Sequence, residues 1–551
     1  MCTGNFLNQF VGDVETMQSQ DRAQASSHRD KLFGAFGLTL ALVLVLRVSH
    51  SAVVDSTEAF DAMSTMQSAS THAPTLAPTR AFLSLRGNLV SVVVRALIVA
   101  SGILCGCVPN SRSVDGERVV HSVEDCSAEA LHAALDAAQP GDTVLVGPCR
   151  IAGSFFVSAE VTLQGSGVSR TTLVGLPSGP AVELVPNEGE PTALSEITIE
   201  GHGSEAVLAR GPGDILVANA AVVGMTGAGI RSEGVTNLLA TNVTLQGPVT
   251  EKSAAGMIGP ELGSTDGAGV VSECGETVVL QSVDIVGFAG CGAFVAGGEL
   301  RWEGGGAIAN LGIGLCTLSA DVTLRDIDLS ETFVGVGLLS YAGVFADGGD
   351  IHSERLRVER NGMFGLVHDG VTALHEDLVA SQNADAALWS QNRSAITIER
   401  GTLYENRHAG LVAVAPGPLT VRDTFIGSSE LVTRIWAETQ PVEVGDGIMI
   451  AGPLLGRLVF ENLLLLSNRR VGAIIDLNGG AMGRTTIENV VVFGTGNEHG
   501  FIVQNGTVPD AWDRGVARFG AAATNDATYP GHLRVPTAER PRTGGVTHCN
   551  R

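Results

Sequence analysis

The chain has 551 residues, 44% of them hydrophobic and 17% charged, with 70 glycines and a formal net charge of −24. So much apolar material excludes a disordered chain, and the acidic balance, with Lys31 and Lys252 the only lysines, disfavours DNA or RNA as a partner. Four Trp and three Tyr are few for the stacking platforms of a sugar-binding groove, and none of the nine cysteines makes a C-x2-C pair of the zinc-knuckle type.

Residues 1–106 read as a poorly ordered leader. The apolar run Leu32–Leu46 is only about 15 residues long, against the roughly 20 that a membrane span needs. It is either a signal or anchor, or the product of an initiator placed too far upstream. A second apolar run spans 89–104. There Arg86 and Arg95 supply a basic flank and Ala96–Leu104 an apolar stretch, the pattern of a secretion signal. Leu104-Cys105-Gly106-Cys107 then resembles a bacterial lipobox. That resemblance implies acylation of Cys107, a tether over 107–122, and a domain held by its lipid at the outer membrane or cell surface. An ordinary cleaved signal and a secreted protein are the alternative.

From Cys126 the pattern becomes structural. Cys126 to Ala138 reads as an amphipathic helix with Leu131 and Leu135 on one face, followed by a turn and strand over Gln139–Val146 and another strand over Val161–Gly167. Beyond a blurred stretch with strand-like runs at Ala193–Glu200, Asp214–Val223 and Val235–Leu245, a repeat becomes legible. It is clearest in three segments, each with a Glu (Glu354, Glu376, Glu399), an Asn seven residues on (Asn361, Asn383, Asn406) and a small anchor four beyond that (Gly365, Ala387, Gly410). The anchors continue as Gly292, Gly314, Gly337, Gly447, Gly472 and Gly500, each followed by an apolar residue such as Leu366, Leu388 and Leu411. A second apolar column reads Val358, Ala380, Leu403, Leu465 and Phe493. A period near 22 residues with short β-type runs is the signature of a β-solenoid, in which each column becomes one internal stack. Gly at the anchor suits positive φ or close approach between coils, and the recurring Asn, with Asn468, suits a turn and a hydrogen-bonded stack.

The helix, the strands after it and the repeats together resemble the right-handed parallel β-helix proteins of the pectin-lyase-like superfamily. The resemblance covers 123–508 and implies an all-β solenoid whose first coil is covered by the N-terminal helix. Loops are expected as insertions at Gly247–Gly267 and Ser428–Gly445, the latter carrying Trp436, and an irregular tail over 509–551. Cys126 and Cys149 are placed to bridge helix and first coil; Cys291 and Cys316 lie on neighbouring coils, with Cys274 a competing partner and Cys549 available to hold the tail.

Chemistry is harder to place. Glu303, Asp326, Glu354, Glu376, Glu399 and Glu461 recur eleven residues before the anchors, and a feature repeated on every coil is better explained as a solvated turn than as a catalytic ridge. The least repetitive polar cluster is His368, Asp369, His375, Glu376 and Asp377, with His352 and His408 on adjoining coils. A lyase for acidic sugars needs a base, and often Ca2+ or Arg against the uronate; this cluster could supply both. Otherwise no cofactor is called for. Gly201-His202-Gly203 matches a fragment of the polygalacturonases, but the chain has no Asn-Thr-Asp, no Asp-Asp pair and no Arg-Ile-Lys, and it lacks the Trp-Ile-Asp-His of pectate lyases. No catalytic residue carries over. The expectation is therefore a surface-tethered, non-catalytic β-helix lipoprotein that binds a polysaccharide or cell-surface ligand; the alternative is a polysaccharide lyase or glycoside hydrolase.

Overall fold

The computed structural model describes residues 118–519 and 524–526, apart from 202–203, 250–266, 275–276, 334–341, 431, 435–441, 495–498 and 511. Cys107, Cys549, Trp436 and both leader runs lie outside the described residues.

The described chain is a parallel β-solenoid of about 15 turns. One coil shows the plan: Phe364–Asp369, Thr372–Glu376 and Val379–Ser381 pair in register with Ala386–Gln391, Ala395–Glu399 and Thr402–Tyr404 of the next coil. Three parallel ladders result, called first, second and third in that order. Alternation then sends every other side chain into one narrow lumen. Leu366 faces Leu388, which faces Leu411, and all three are fully buried. The ladders begin at Val120–Val123 and continue through Val516–Phe519 and Thr524–Asp526, so strand pairing extends past the expected boundary at 508.

The open end is covered by helix α1 (Ala128–Ala137). Ser127 caps it by accepting the Ala130 N–H at 3.2 Å, and Leu131 and Leu135 close over the first coils. Cys126 and Cys149 form the expected disulfide between cap and coil. Cys291 and Cys316 form another across adjacent strands, and Cys274 does not compete, being itself disulfide-bonded.

Several columns differ from the sequence reading. Gly337 and Leu338 lie outside the described residues, and the register puts Gly343 and Val344 in the anchor row between Gly314 and Gly365. The anchor is small because coils approach closely, not because φ is positive: a Cβ on Gly365 would stand 2.4 Å from the Ala387 carbonyl oxygen. In the second column Val492 points inward and Phe493 lies half exposed outside, a one-residue slip that reverses the face. The recurring Asn do not occupy the left-handed turn position either. Arg360, Gln382, Glu405 and Ser467, one residue earlier, hold φ near +55°. The Asn side chains turn inward as a ladder: Asn361 Nδ2 donates to Asn383 Oδ1 (3.0 Å), and Asn383 Nδ2 to Asn406 Oδ1 (2.9 Å).

Candidate functional site

The five clustered residues do not converge. Alternation splits them between three environments. His368 and His375 face the lumen, fully buried, with their Nε2 atoms 2.9 Å apart. Glu376 and Asp377 are on the outside of the corner after the second ladder, where Arg400 donates to both, at 2.9 and 2.8 Å. Arg400, and after it His352, hold the Glu376 carboxyl below its ordinary range. Asp369 alone faces outward from the first ladder, yet is fully buried there.

The carboxylate column is likewise not a bare ridge. Register replaces Asp326 by Arg325, and the row reads Glu303, Arg325, Glu354, Glu376, Glu399, Arg422, Glu461. Arg325 Nε donates to Glu354 at 2.9 Å and Arg422 Nε to Glu461 at 2.7 Å. Asp326, Arg355, Asp377, Arg400 and Asp423 form the turn row beside it, all in the left-handed region. Interleaved arginine removes the self-repulsion of a stacked acid row, so the turn reading fits these residues.

The outer face of the first ladder is different. Its central row is apolar and buried, with Phe345, Val367, Val412, Met449 and Ile474 in register with Trp389. Buried polar groups stand beside that row. Asp385 Oδ1 accepts from His408 Nδ1 at 2.6 Å. The His408 ring lies 6.3 Å from that of Trp389. Trp389 Nε1 donates to Gln391 Oε1 (3.2 Å), and Gln391 Nε2 donates to Asp369 Oδ2 (3.1 Å), whose other oxygen accepts from the Asn392 amide. One coil further, Asp446 pairs with Arg470 (2.8 Å), and at the other end of the ladder, on the coil after that, Asp476 accepts from Gln504 and Asn505 at 2.9 and 3.0 Å. Asp369, Asp385, His408 and Asp446 are all less than a tenth exposed. Burying that many ionisable groups outside the lumen costs free energy unless they are paired; Asp446 stands beside Ala409 in its row, and Asp369 between Asp347 and Gln391.

The expected insertion at Gly247–Gly267 lies mostly outside the described residues. Between the third-ladder strand Phe425–Gly427 and the first-ladder strand Asp446–Ala451 stands the short antiparallel hairpin Val432–Arg434 with Val442–Val444, and Val444 packs into the apolar outer cluster.

Chemically, a carboxylate accepting Nδ1–H fixes the imidazole tautomer and leaves Nε2 as its basic atom. Asp385 and His408 are thus a preoriented acid–base pair. Asp369, steadied by two amides, is a second carboxylate on the same face. Sequence reading named His408 and Asp369 but missed Asp385, Trp389, Gln391, Asn392, Asp446 and Arg470. The signal existed: Asp385 and His408 both stand two residues before an anchor, so the repeat alone places them side by side. Among the described residues no three His, Cys, Asp or Glu side chains converge as metal ligands.

An open groove of about 560 Å³ lies elsewhere, on the outer face of the second ladder, lined by Glu299, Asp321, Asp350 and His352 with Thr372, Leu374 and Thr397. Glu299, Asp321 and Asp350 are in register on three successive strands, and His352 Nε2 lies 3.1 Å from Glu376.

No family model and no curated protein matches the chain. Solved structures similar to it include the A-module of a mannuronan C-5 epimerase from Azotobacter vinelandii, at 14% identity over 71% of this chain and 95% of that one, with a TM-score of 0.32. The catalytic domain of a GH87 α-1,3-glucanase aligns at 10% identity over 76% and 70%, with a TM-score of 0.34. An alginate lyase from Paenibacillus sp. aligns at 14% over 56% and 99%, with a TM-score of 0.33. Likeness at this level concerns the stacking of coils and carries no residue role across.

The expectation of a non-catalytic display module is corrected. A flat, evenly polar face would have favoured it, whereas the first ladder carries buried acid, amide and imidazole groups hydrogen-bonded to one another.

Proposed function

We propose that the protein is a polysaccharide-active enzyme, a lyase or glycoside hydrolase, whose reaction centre is the outer face of the first ladder. One observation carries this reading: the buried Asp385–His408 hydrogen bond, with the His408 ring 6.3 Å from the Trp389 that leads through Gln391 to Asp369. In the proposed mechanism His408 exchanges a proton with the sugar through Nε2 while Asp385 holds the ring and stabilises its charged form. Asp369 and Trp389, both buried, complete the polar and aromatic wall behind the His408 ring. Disulfide bonding at Cys126–Cys149 and Cys291–Cys316 supports an oxidising location in the cell envelope or outside the cell. Lipid attachment at Cys107 belongs to the same proposal, with mass spectrometry of the native N-terminus as its test.

The experiment is a panel of neutral and uronic polysaccharides, assayed for new reducing ends and unsaturated uronates, with and without Ca2+. Activity that disappears in His408→Ala and Asp369→Asn supports the assignment. A panel without turnover, or activity indifferent to both changes, refutes it. A second reading places the centre in the groove of the second ladder, favoured by its openness and by Asp350 beside His352; loss of activity in Asp350→Asn alone would select it.

A further inference from the structure

A lumen of this kind is built to be apolar, and two histidines stand in it. His368 projects inward from the first ladder and His375 from the second, across the corner of a single coil. Their rings are nearly coplanar and meet edge to edge, 5.1 Å between centroids and 10° from parallel, with their Nε2 atoms 2.9 Å apart. His375 Nδ1 is 2.7 Å from Ser353 Oγ on the preceding coil. The strands packed against the pair bring Ala346, Ser353, Ser390 and Ile398 to it in register. Among the described residues these strands turn no other ionisable side chain into the lumen here: Asp369 and Glu376 point out, as does His352, whose charge acts on His375 only from the far side of the wall.

Proton counting makes the arrangement a switch. Two neutral imidazoles hold one N–H each, and whichever ring donates across the Nε2–Nε2 contact, the other accepts. A second proton on that line would set two N–H groups face to face at 2.9 Å in a medium that cannot solvate the charge. The pair is therefore a bond between two ladders while neutral and a wedge when fully protonated. It also sits directly behind the proposed reaction centre, because Asp369 follows His368 on the same strand and Ser390 lies between Trp389 and Gln391.

We propose that His368 and His375 form an acid-sensitive latch: neutral, they tie the first and second ladders together, and their protonation opens the lumen and loosens the outer face that carries Asp369 and Gln391. Burial holds both rings below the ordinary imidazole range, His368 at about 4. The folded state then resists the protons that the unfolded chain accepts near pH 6.5, so the stabilisation is complete above that pH and is lost as pH falls toward about 4. The regulatory half of the proposal rests on the first-ladder reading; the latch does not.

The test is thermal unfolding of the full chain from pH 7.5 to 4.5, for the wild type and His368→Gln/His375→Gln, which keeps polar side chains of similar size and cannot titrate. The wild type is expected to lose about 5 °C more than the variant across this range. Parallel curves overturn the proposal. If the variant does not fold, exchange of the imidazole Cε1–H followed by mass spectrometry on the wild type decides instead. A peptide holding His368 and His375 that shows no titration between pH 5.5 and 7.5 supports the latch, and one that titrates near 6.5 overturns it. Neither measurement uses a substrate, so the latch can fail while the reaction centre stands, and the reverse.

Discussion

Asp385 and His408 are 23 residues apart in sequence and one coil apart in space, joined Oδ1 to Nδ1 at 2.6 Å on the buried outer face of the first ladder. A pair set this way is an acid–base device whose parts fail differently. His408→Gln removes the proton carrier and is expected to lower turnover by about 10²–10⁴-fold. Asp385→Asn keeps the shape but offers an amide that holds the wrong tautomer, so turnover falls while substrate affinity is retained. Steady-state kinetics on whichever polymer the panel identifies provides the measurement. Equal losses in kcat and kcat/KM support the role, and a change in KM alone contradicts it.

The buried asparagine ladder makes a stability prediction. Asn383 Oδ1 accepts from both the backbone N–H and Nδ2 of Asn361, while its own Nδ2 donates to Asn406 and to the Val358 carbonyl. Asn383→Ala strands two buried donors on Asn361 and takes a donor from the Val358 carbonyl and from Asn406 Oδ1, at a cost of about 2–3 kcal/mol. Stacked repeats share stability chiefly with their neighbours, so the effect should be local. Hydrogen exchange should rise over 358–412 and stay unchanged over 120–165. Uniform exchange along the chain would count against a ladder that acts coil by coil.

The solenoid was legible because its lumen imposes one demand on every coil, and a demand repeated at 22 or 23 residues is visible in a single sequence. Leu366, Leu388 and Leu411 carried that signal. What the period could not resolve was the face. His368 and Asp369 are neighbours in sequence and point to opposite sides of a strand, as do His375 and Glu376, so a cluster on paper became three places in space. Phe493 was misplaced for the same reason, by a shift of one residue. The reaction centre was harder still, because Trp389 and Asp446 occupy rows that neighbouring coils fill with Val367, Val412 and Ala409, and only the register brings Gln391 beside Asp369.

The cap makes the last prediction. Helix α1 closes the lumen with Leu131 and Leu135, and the only covalent link across that junction among the described residues is Cys126–Cys149. Removing a link that closes a loop of this length releases about 3 kcal/mol of unfolded-chain entropy. In a stack of coils that loss is felt first at the exposed end, where the first strand has a neighbour on one side only. Cys126→Ser/Cys149→Ser should therefore fray residues 120–165 before the rest unfolds, leaving the 364–412 coils protected. Limited proteolysis followed by mass spectrometry would show early cuts in that segment and a resistant remainder. Simultaneous loss of the whole solenoid would mean that the cap governs all the coils together, and that its role is to hold the stack rather than to cover one end.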